Sequence, residues 1–188
     1  MRLLVLADRP FHADPATLAT QHGADAIVCL GDLQPSWLET LDRIQLPKLG
    51  VYGNHDVEPY MDWFGIENLH MRRVDLDGGP AFAGFEGCVA YHREGRRHGP
   101  SYSQKKASKL ARKLPGAEVL LCHCPPRGIN DDESDPAHVG YDGLRNWVLE
   151  HRPRLVLHGH THPQPGRILT QFGDTRVAYV NGARVVDL

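Results

Sequence analysis

An α/β fold with a largely parallel central sheet is predicted for this 188-residue chain. Three features predict it: short apolar runs of strand length, helical patterns lying between them, and a C-terminal Asn-Gly pair flanked by apolar stretches. The runs are Leu3–Ala7, Ala26–Leu30, Leu49–Tyr52, Ala81–Phe85, Val119–Cys122, Leu155–Leu157 and Val177–Val180. Between them, Ser36 followed three residues later by Glu39 is a capping-box signature and predicts a helix to about Ile44. Ala107, Leu110, Ala111 and Leu114 have the i, i+3, i+4, i+7 spacing of a buried helical stripe, and Leu144, Trp147 and Val148 after Asp142 predict a further helix. Asn181-Gly182 between Val177–Val180 and Ala183–Val186 predicts a hairpin, so antiparallel pairing is expected at that end and a mixed sheet or a two-sheet sandwich follows.

Composition narrows the function classes. With 41% hydrophobic and 23% charged residues the chain reads as globular, and 19 glycines with 14 prolines promise loops without reaching low complexity. No repeat or linker is visible, so residues 1–188 are read as one domain. A net charge of −2 gives no global field for nucleic acid or an anionic membrane. The opening run Leu3–Ala7 stops at Asp8, too short for a signal-peptide core, and nothing approaches the ~20 residues of a membrane span, so a cytoplasmic protein is expected. Cys29, Cys88, Cys122 and Cys124 lack CxxC spacing and are read as reduced thiols in strands. Twelve histidines are the unusual feature, since imidazole suits borderline metals near neutral pH.

The chemistry lies in where the polar residues fall. Five apolar runs end in metal-ligand types: Asp8; Gly31-Asp32; Gly53-Asn54-His55-Asp56; His123; and His158-Gly159-His160-Thr161-His162. Open α/β sheets bind ligands beyond the carboxyl ends of their strands, so these groups can converge. Their oxygen and nitrogen donors suit Mn²⁺, Fe or Zn²⁺ and outnumber what one tetrahedral ion needs. A two-metal centre for phosphoryl displacement, with ions about 3.5–4 Å apart, is the inference.

In order and spacing these residues resemble the calcineurin-like metallophosphoesterases, whose motifs D-x-H, G-D, G-N-H-[D/E], a lone H and G-H-x-H are matched over residues 8–162. More loosely, His123-Cys124-Pro125-Pro126-Arg127-Gly128 with His138-Val139-Gly140 resembles small phosphohydrolases near the class III cyclic-nucleotide phosphodiesterases. The resemblance implies a four-layer α/β/β/α sandwich with mixed β-sheets and two divalent ions, Mn²⁺ before Fe, Zn²⁺ or Ni²⁺. It implies that Asp32 bridges them, with Asp8 and His162 on the first ion and Asn54, His123 and His160 on the second. His55 would serve the leaving group as acid while metal-activated hydroxide attacks phosphorus. A small phosphate ester is the implied partner, diesters slightly ahead of monoesters; the residues leave the oligomeric state open.

One departure stands out: the family's D-x-H reads Asp8-Arg9-Pro10, so the first metal keeps three of its four protein ligands. Water fills the vacancy, His12 reaches in, or the site fills only at high metal; all three imply weaker first-site affinity. Each motif alone could be an ordinary turn, but their order argues against coincidence. His158 is read as packed rather than ligating, and His12 and His138 are the remaining histidines to watch, His22, His70, His92, His98 and His151 defaulting to surface or loop roles. Arg9 and Arg127 are candidates for a substrate phosphate. Lys105, Lys106, Lys109, Arg112 and Lys113 lie opposite an apolar stripe and read as a solvated face. Two rival readings remain: a catalytically weakened scaffold of the same fold, and a repair nuclease, which the chain length and the lack of a basic cleft disfavour.

Overall fold

The computed structural model describes residues 1–91 and 99–188; the loop roles read for His92 and His98 lie outside them. Strand β1 (Arg2–Ala7) leads to helix α1 (Pro15–His22), β2 (Ala26–Cys29), two 3₁₀ turns (Pro35–Trp37, Glu39–Arg43) and β3 (Lys48–Gly50). Then come α2 (Tyr60–Trp63), β4 (Glu67–Asn68), β5 (Arg73–Asp75), β6 (Ala81–Phe85), β7 (Cys88–Val89), β8 (Ser101–Tyr102) and α3 (Gln104–Ala111). The chain ends with β9 (Val119–Cys122), α4 (Asp142–His151), β10 (Leu155–His158), β11 (Gln171–Phe172), β12 (Thr175–Tyr179) and β13 (Gly182–Asp187).

Two sheets form, in the orders β13-β1-β2-β3-β4 and β11-β12-β10-β9-β6-β5, beside a small β7-β8 pair. Their facing sides share one core that joins Leu3, Val5, Ala26, Val28 and Leu49 of the first sheet to Phe82, Val119, Leu121, Leu155 and Leu157 of the second. Strand alternation sends the intervening residues outward. Leu4, Leu6, Ile27 and Cys29 pack with Leu18 of α1 and with Leu41 and Tyr60. Leu120, Cys122 and Val156 pack with Ala107 of α3 and with Leu144 and Trp147 of α4. The near-continuous apolar runs of β1, β2, β9 and β10 follow from this, because each strand is buried on both faces. The result is the expected sandwich, with helical and 3₁₀ segments outside two mixed sheets.

β1, β2 and β3 run parallel to one another, as do β6, β9, β10 and β12, so each sheet has one edge of carboxyl ends. All four cysteines are free and buried, and burial pushes the Cys29 thiol up to about 12. The five basic side chains of the α3 region are exposed, Lys106 Nζ lying 4.6 Å over the Tyr102 ring.

Three local expectations need correction. Residues 36–44 form no α-helix: Gln34 is the N-cap, no side chain caps either 3₁₀ turn, and Pro35 at the start favours the tight turn. The C-terminal strands form no hairpin. β12 pairs with β10 and β11 in the second sheet, whereas β13 crosses to the first and runs antiparallel to β1, Ala7 opposite Gly182. Asn181-Gly182 is thus a corner between sheets, with Gly182 at φ 93°. The predicted antiparallel pairing exists, but with β1 as partner. The third point is a helix the sequence reading left out: α1 is capped by Asp14, whose carboxylate accepts from Thr17 N, and closed by Gly23 at φ 58°.

Candidate metal centre

The carboxyl ends of β1, β2, β3, β9 and β10 meet where the two sheets face each other. The backbone there is bent to make them meet. Asp8, Asp32, His160 and His162 all have positive φ (61°, 53°, 69° and 42°), a conformation that costs a non-glycine residue about 1 kcal/mol or more. Such strain persists only where surrounding contacts impose it, and here they are visible. His160 N donates to Asp8 Oδ2 at 3.0 Å and His123 Nδ1 donates to Leu30 O at 2.8 Å, so each sheet holds a candidate ligand of the other.

The motif glycines have a steric reason. A Cβ on Gly159 would stand 2.5 Å from Asp8 Oδ2, and one on Gly53 would collide with Asp32 Oδ1 and lie 2.5 Å from Asp32 N. The glycines leave room for the carboxylates. Asp56, which sequence reading quoted only as part of a motif, organises this loop. Its carboxylate accepts from Asp32 N (2.8 Å), Leu33 N (3.1 Å), Gly53 N (2.7 Å) and the buried Tyr60 hydroxyl (3.0 Å). Three of these four donors are backbone N–H groups, so no side-chain pattern in the sequence marks the role.

Asp8, Asp32 and His123 present ligand atoms all within 4.8 Å of one another. His123 is buried, and because the Leu30 carbonyl can only accept, its Nδ1 carries hydrogen and Nε2 is the remaining nitrogen. Nε2 points at Asn54 Oδ1 (3.0 Å) and Asp32 Oδ2 (3.4 Å). A neutral imidazole would thus set three acceptors against one another, so this spot wants a cation. In the metal-free protein a proton meets that need: burial opposes charge on His123, but the Asp32 carboxylate overrides it and lifts the imidazole to about 9. Asp32 is held well below the usual carboxylate range, against its burial, by His123 and by the His55 N–H; Asp8 is raised, chiefly by burial. Asn54 is fully buried and its Nδ2 lacks a partner. The donor set fits divalent metal: anionic and neutral oxygens with imidazole nitrogens around a buried point of positive demand.

The other histidines divide cleanly. His160 Nε2 donates to Ala137 O at 2.8 Å, leaving Nδ1 as the acceptor, and burial lowers its pKa to about 3. His162 Nδ1 meets the Tyr179 hydroxyl at 3.0 Å, and Nδ1–H donation there leaves Nε2. Engagement of one ring nitrogen by the protein is how metal-binding histidines are oriented. His158 is different. Its Nδ1 donates to Gly159 O and its Nε2 accepts from Asn130 Nδ2 at 2.9 Å, so both nitrogens are consumed and it is a packed side chain. His55 lies at the mouth, 64% exposed, its N–H on Asp32 Oδ1 and its Nε2 4.0 Å from Asp32 Oδ2. Arg127 Nε is paired with Glu133 (3.1 Å) and Asp131 (3.6 Å). Arg9 is exposed, near enough to His162 to depress its pKa after burial and Asp8 have acted. His12 is exposed, with no hydrogen bond or ion pair among the described residues.

An open cleft of about 510 Å³ adjoins His162, lined also by Asn130, Asp132, Glu133, Ser134, His138 and Arg167. No described helix is long and apolar enough to cross a membrane.

Comparison with known proteins bears on the fold and the family. The crystal structure of TT1561 of Thermus thermophilus shares the fold at 20% identity, with 94% of this chain and 87% of that one covered and a TM-score of 0.63. Another crystal structure matches at 16% identity, covering 94% and 88%, with a TM-score of 0.63. No curated protein matches. The profile of the calcineurin-like phosphoesterase superfamily domain matches residues 1–183, which takes in every candidate ligand described above, and the chain therefore belongs to the calcineurin-like phosphoesterase superfamily.

Proposed function

We propose that the chain hydrolyses small phosphate esters, diesters before monoesters, at a dinuclear centre. In it Asp32 serves both positions, Asp8 and His162 the first, and Asn54, His123 and His160 the second. The observation that carries this reading is the buried meeting of His123 Nε2, Asn54 and the Asp32 carboxylate, an imidazole, an amide and an anion converging on one point as metal ligands do. Divalent cations held there, Mn²⁺ before Fe, Zn²⁺ or Ni²⁺, would supply Lewis acidity, neutralising phosphoryl oxygens and bringing deprotonation of water into the neutral range.

The protein's own groups do the remainder. Asp8 and Asp32 supply the anionic charge, and the hydrogen bonds to Leu30 O and Ala137 O turn the intended nitrogens of His123 and His160 inward. His55, exposed and tied to Asp32 through its backbone N–H, holds the proton that the leaving oxygen takes as the P–O bond breaks and water adds to phosphorus. Arg127 is paired with Glu133 and Asp131, which leaves Arg9 and the cleft-lining Arg167 to meet a substrate phosphate, and the looser likeness of residues 123–140 to small phosphodiesterases puts diesters first. Pro10, which brings no ligand atom, supports the weakened-scaffold reading as the alternative.

The test is hydrolysis of chromogenic mono- and diesters by chelator-stripped protein titrated with Mn²⁺. Turnover that needs metal, vanishes in Asp32→Ala and falls about 10²–10⁴-fold in His55→Ala with an unchanged melting temperature is expected. Absence of turnover at millimolar Mn²⁺ would bring the scaffold reading forward, and full activity in His55→Ala would remove its acid role.

A further inference from the structure

The first metal position, as proposed above, draws on Asp8, Asp32 and His162 alone, and Pro10 contributes nothing. A further imidazole lies on the same cleft, outside the Asp8, Asp32 and His123 cluster. His138 lines the same cleft as His162, and its ring centroid lies 6.1 Å from that of His162 and 5.3 Å from that of His160. It comes from the loop between β9 and α4, and the residue before it, Ala137, is the one whose carbonyl holds His160. The loop is itself well anchored: the Asp131 carboxylate, 3% exposed, accepts from Gly128 N and Gly140 N, and Asp132 N donates to His138 O.

The ring is oriented as well as placed. His138 Nδ1 meets Asp135 Oδ2 at 2.5 Å, and a carboxylate can only accept, so Nδ1 carries the hydrogen and Nε2 keeps its lone pair. Asp135 is in turn fixed by the turn it makes, its Oδ1 accepting from Ala137 N at 2.9 Å. A carboxylate on one ring nitrogen with the other left over is the arrangement that orients a metal-binding histidine and raises its basicity. A surface histidine needs no such partner.

Resting on the phosphoesterase reading, we infer that His138 is a protein ligand of the first metal position through Nε2, oriented by Asp135, and takes the place that residue 10 leaves empty. The loop that shapes the cleft is thereby tied to the metal at that position.

The experiment counts ions. Chelator-stripped full-length protein is dialysed against increasing free Mn²⁺, and bound metal per chain and its affinities are measured, with circular dichroism and melting temperature as controls. The wild type is expected to bind two ions and Asp32→Ala to lose both. His138→Ala and His138→Gln are expected to keep one ion at wild-type affinity and to weaken the other more than 10-fold. Asp135→Asn should weaken that same ion about 10-fold, and His12→Ala should leave both unchanged. Two wild-type affinities in His138→Ala, with Asp32→Ala still empty, would overturn the ligand assignment and leave the phosphoesterase reading intact. Loss of both ions in His138→Ala would indicate a collapsed loop and also overturn it. No binding by the wild type at millimolar Mn²⁺ would overturn both.

Discussion

Asp56 touches no candidate ligand side chain, yet its replacement should disable the centre. Its Oδ2 accepts from Asp32 N, Gly53 N and the Tyr60 hydroxyl, and its Oδ1 from Leu33 N. In Asp56→Asn the amide oxygen can take the Oδ2 place and keep three of the four bonds. The amide nitrogen then faces Leu33 N–H, donor against donor, and the flipped amide would lose three bonds. One stranded buried donor costs about 1–3 kcal/mol. Burial raises the pKa of Asp56, so removing its charge returns part of that cost. A net loss of about 2 kcal/mol is expected, which for 188 residues is a fall in melting temperature of roughly 4–8 °C. Asp56→Ala strands all four donors and should lose about 4 kcal/mol or more. The functional effect should exceed the stability effect, because Asp32 N is one of the groups that keep Asp32 at φ 53°. Mn²⁺ affinity measured at 25 °C, where Asp56→Asn is still folded, should fall about 10–100-fold. An Asp56→Asn protein with wild-type melting temperature and wild-type Mn²⁺ affinity would refute the claim that this carboxylate sets the loop.

Gly53→Ala should abolish metal binding without unfolding the chain, since the new methyl strikes the Asp32 carboxylate. Gly23→Ala, with open space and φ 58°, should cost about 1 kcal/mol and leave binding unchanged, so equal metal affinity in the two variants would defeat the steric account. The metal-free protein should lose stability on acidification between pH 6.5 and 4. Burial lowers both His158 and His70, the latter expected at the surface but found 20% exposed with Glu86 N on its Nδ1, to about 4, so in that window the unfolded chain binds the extra protons and folding weakens as pH falls. Each histidine contributes up to roughly 3 kcal/mol, His160 acts in the same sense, and Glu86, Asp8 and Asp56, whose pKa values burial raises, act in the opposite one. Urea midpoints across that range should decline, and more gently in His158→Gln; a flat profile would contradict the reading.

The strands were legible because burial on both faces leaves a continuous apolar mark: Ala81–Phe85 and Val119–Cys122 are the observed β6 and β9 to the residue. The site was legible because its donors sit one to five residues past those runs. What could not be read is the cross-sheet pairing. Asn181-Gly182 carries hairpin chemistry, but the unpaired edge of β1 competes for the following strand and wins, through six register pairs from Arg2↔Asp187 to Ala7↔Gly182. Helix α1 had its signals in Asp14, Pro15 and Gly23, whose periodic apolar stripe is short. Asp56 was hidden for another reason. Three of its four partners are backbone N–H groups, two of them 23 and 24 residues earlier, and no side-chain pattern records a bond to main chain.

The same long-range bonds explain why a strained site survives in a chain with ordinary strands. Four residues at the centre occupy left-handed backbone, a combined cost of several kcal/mol if each carries about 1 or more. The compensation is distributed: Asp56 holds the Asp32 turn, Asp8 Oδ2 holds His160 N, and Leu30 O holds the His123 ring. Each of these joins segments distant in sequence, and the last two join the two sheets. The inter-sheet core positions the strand ends to within reach, and these bonds complete the positioning by turning the chain back at each end. A metal ion arriving there would meet donors already oriented. Its binding energy would then replace the proton on His123 rather than pay to order the loops, so metal removal should leave the fold standing with His123 protonated up to about pH 9.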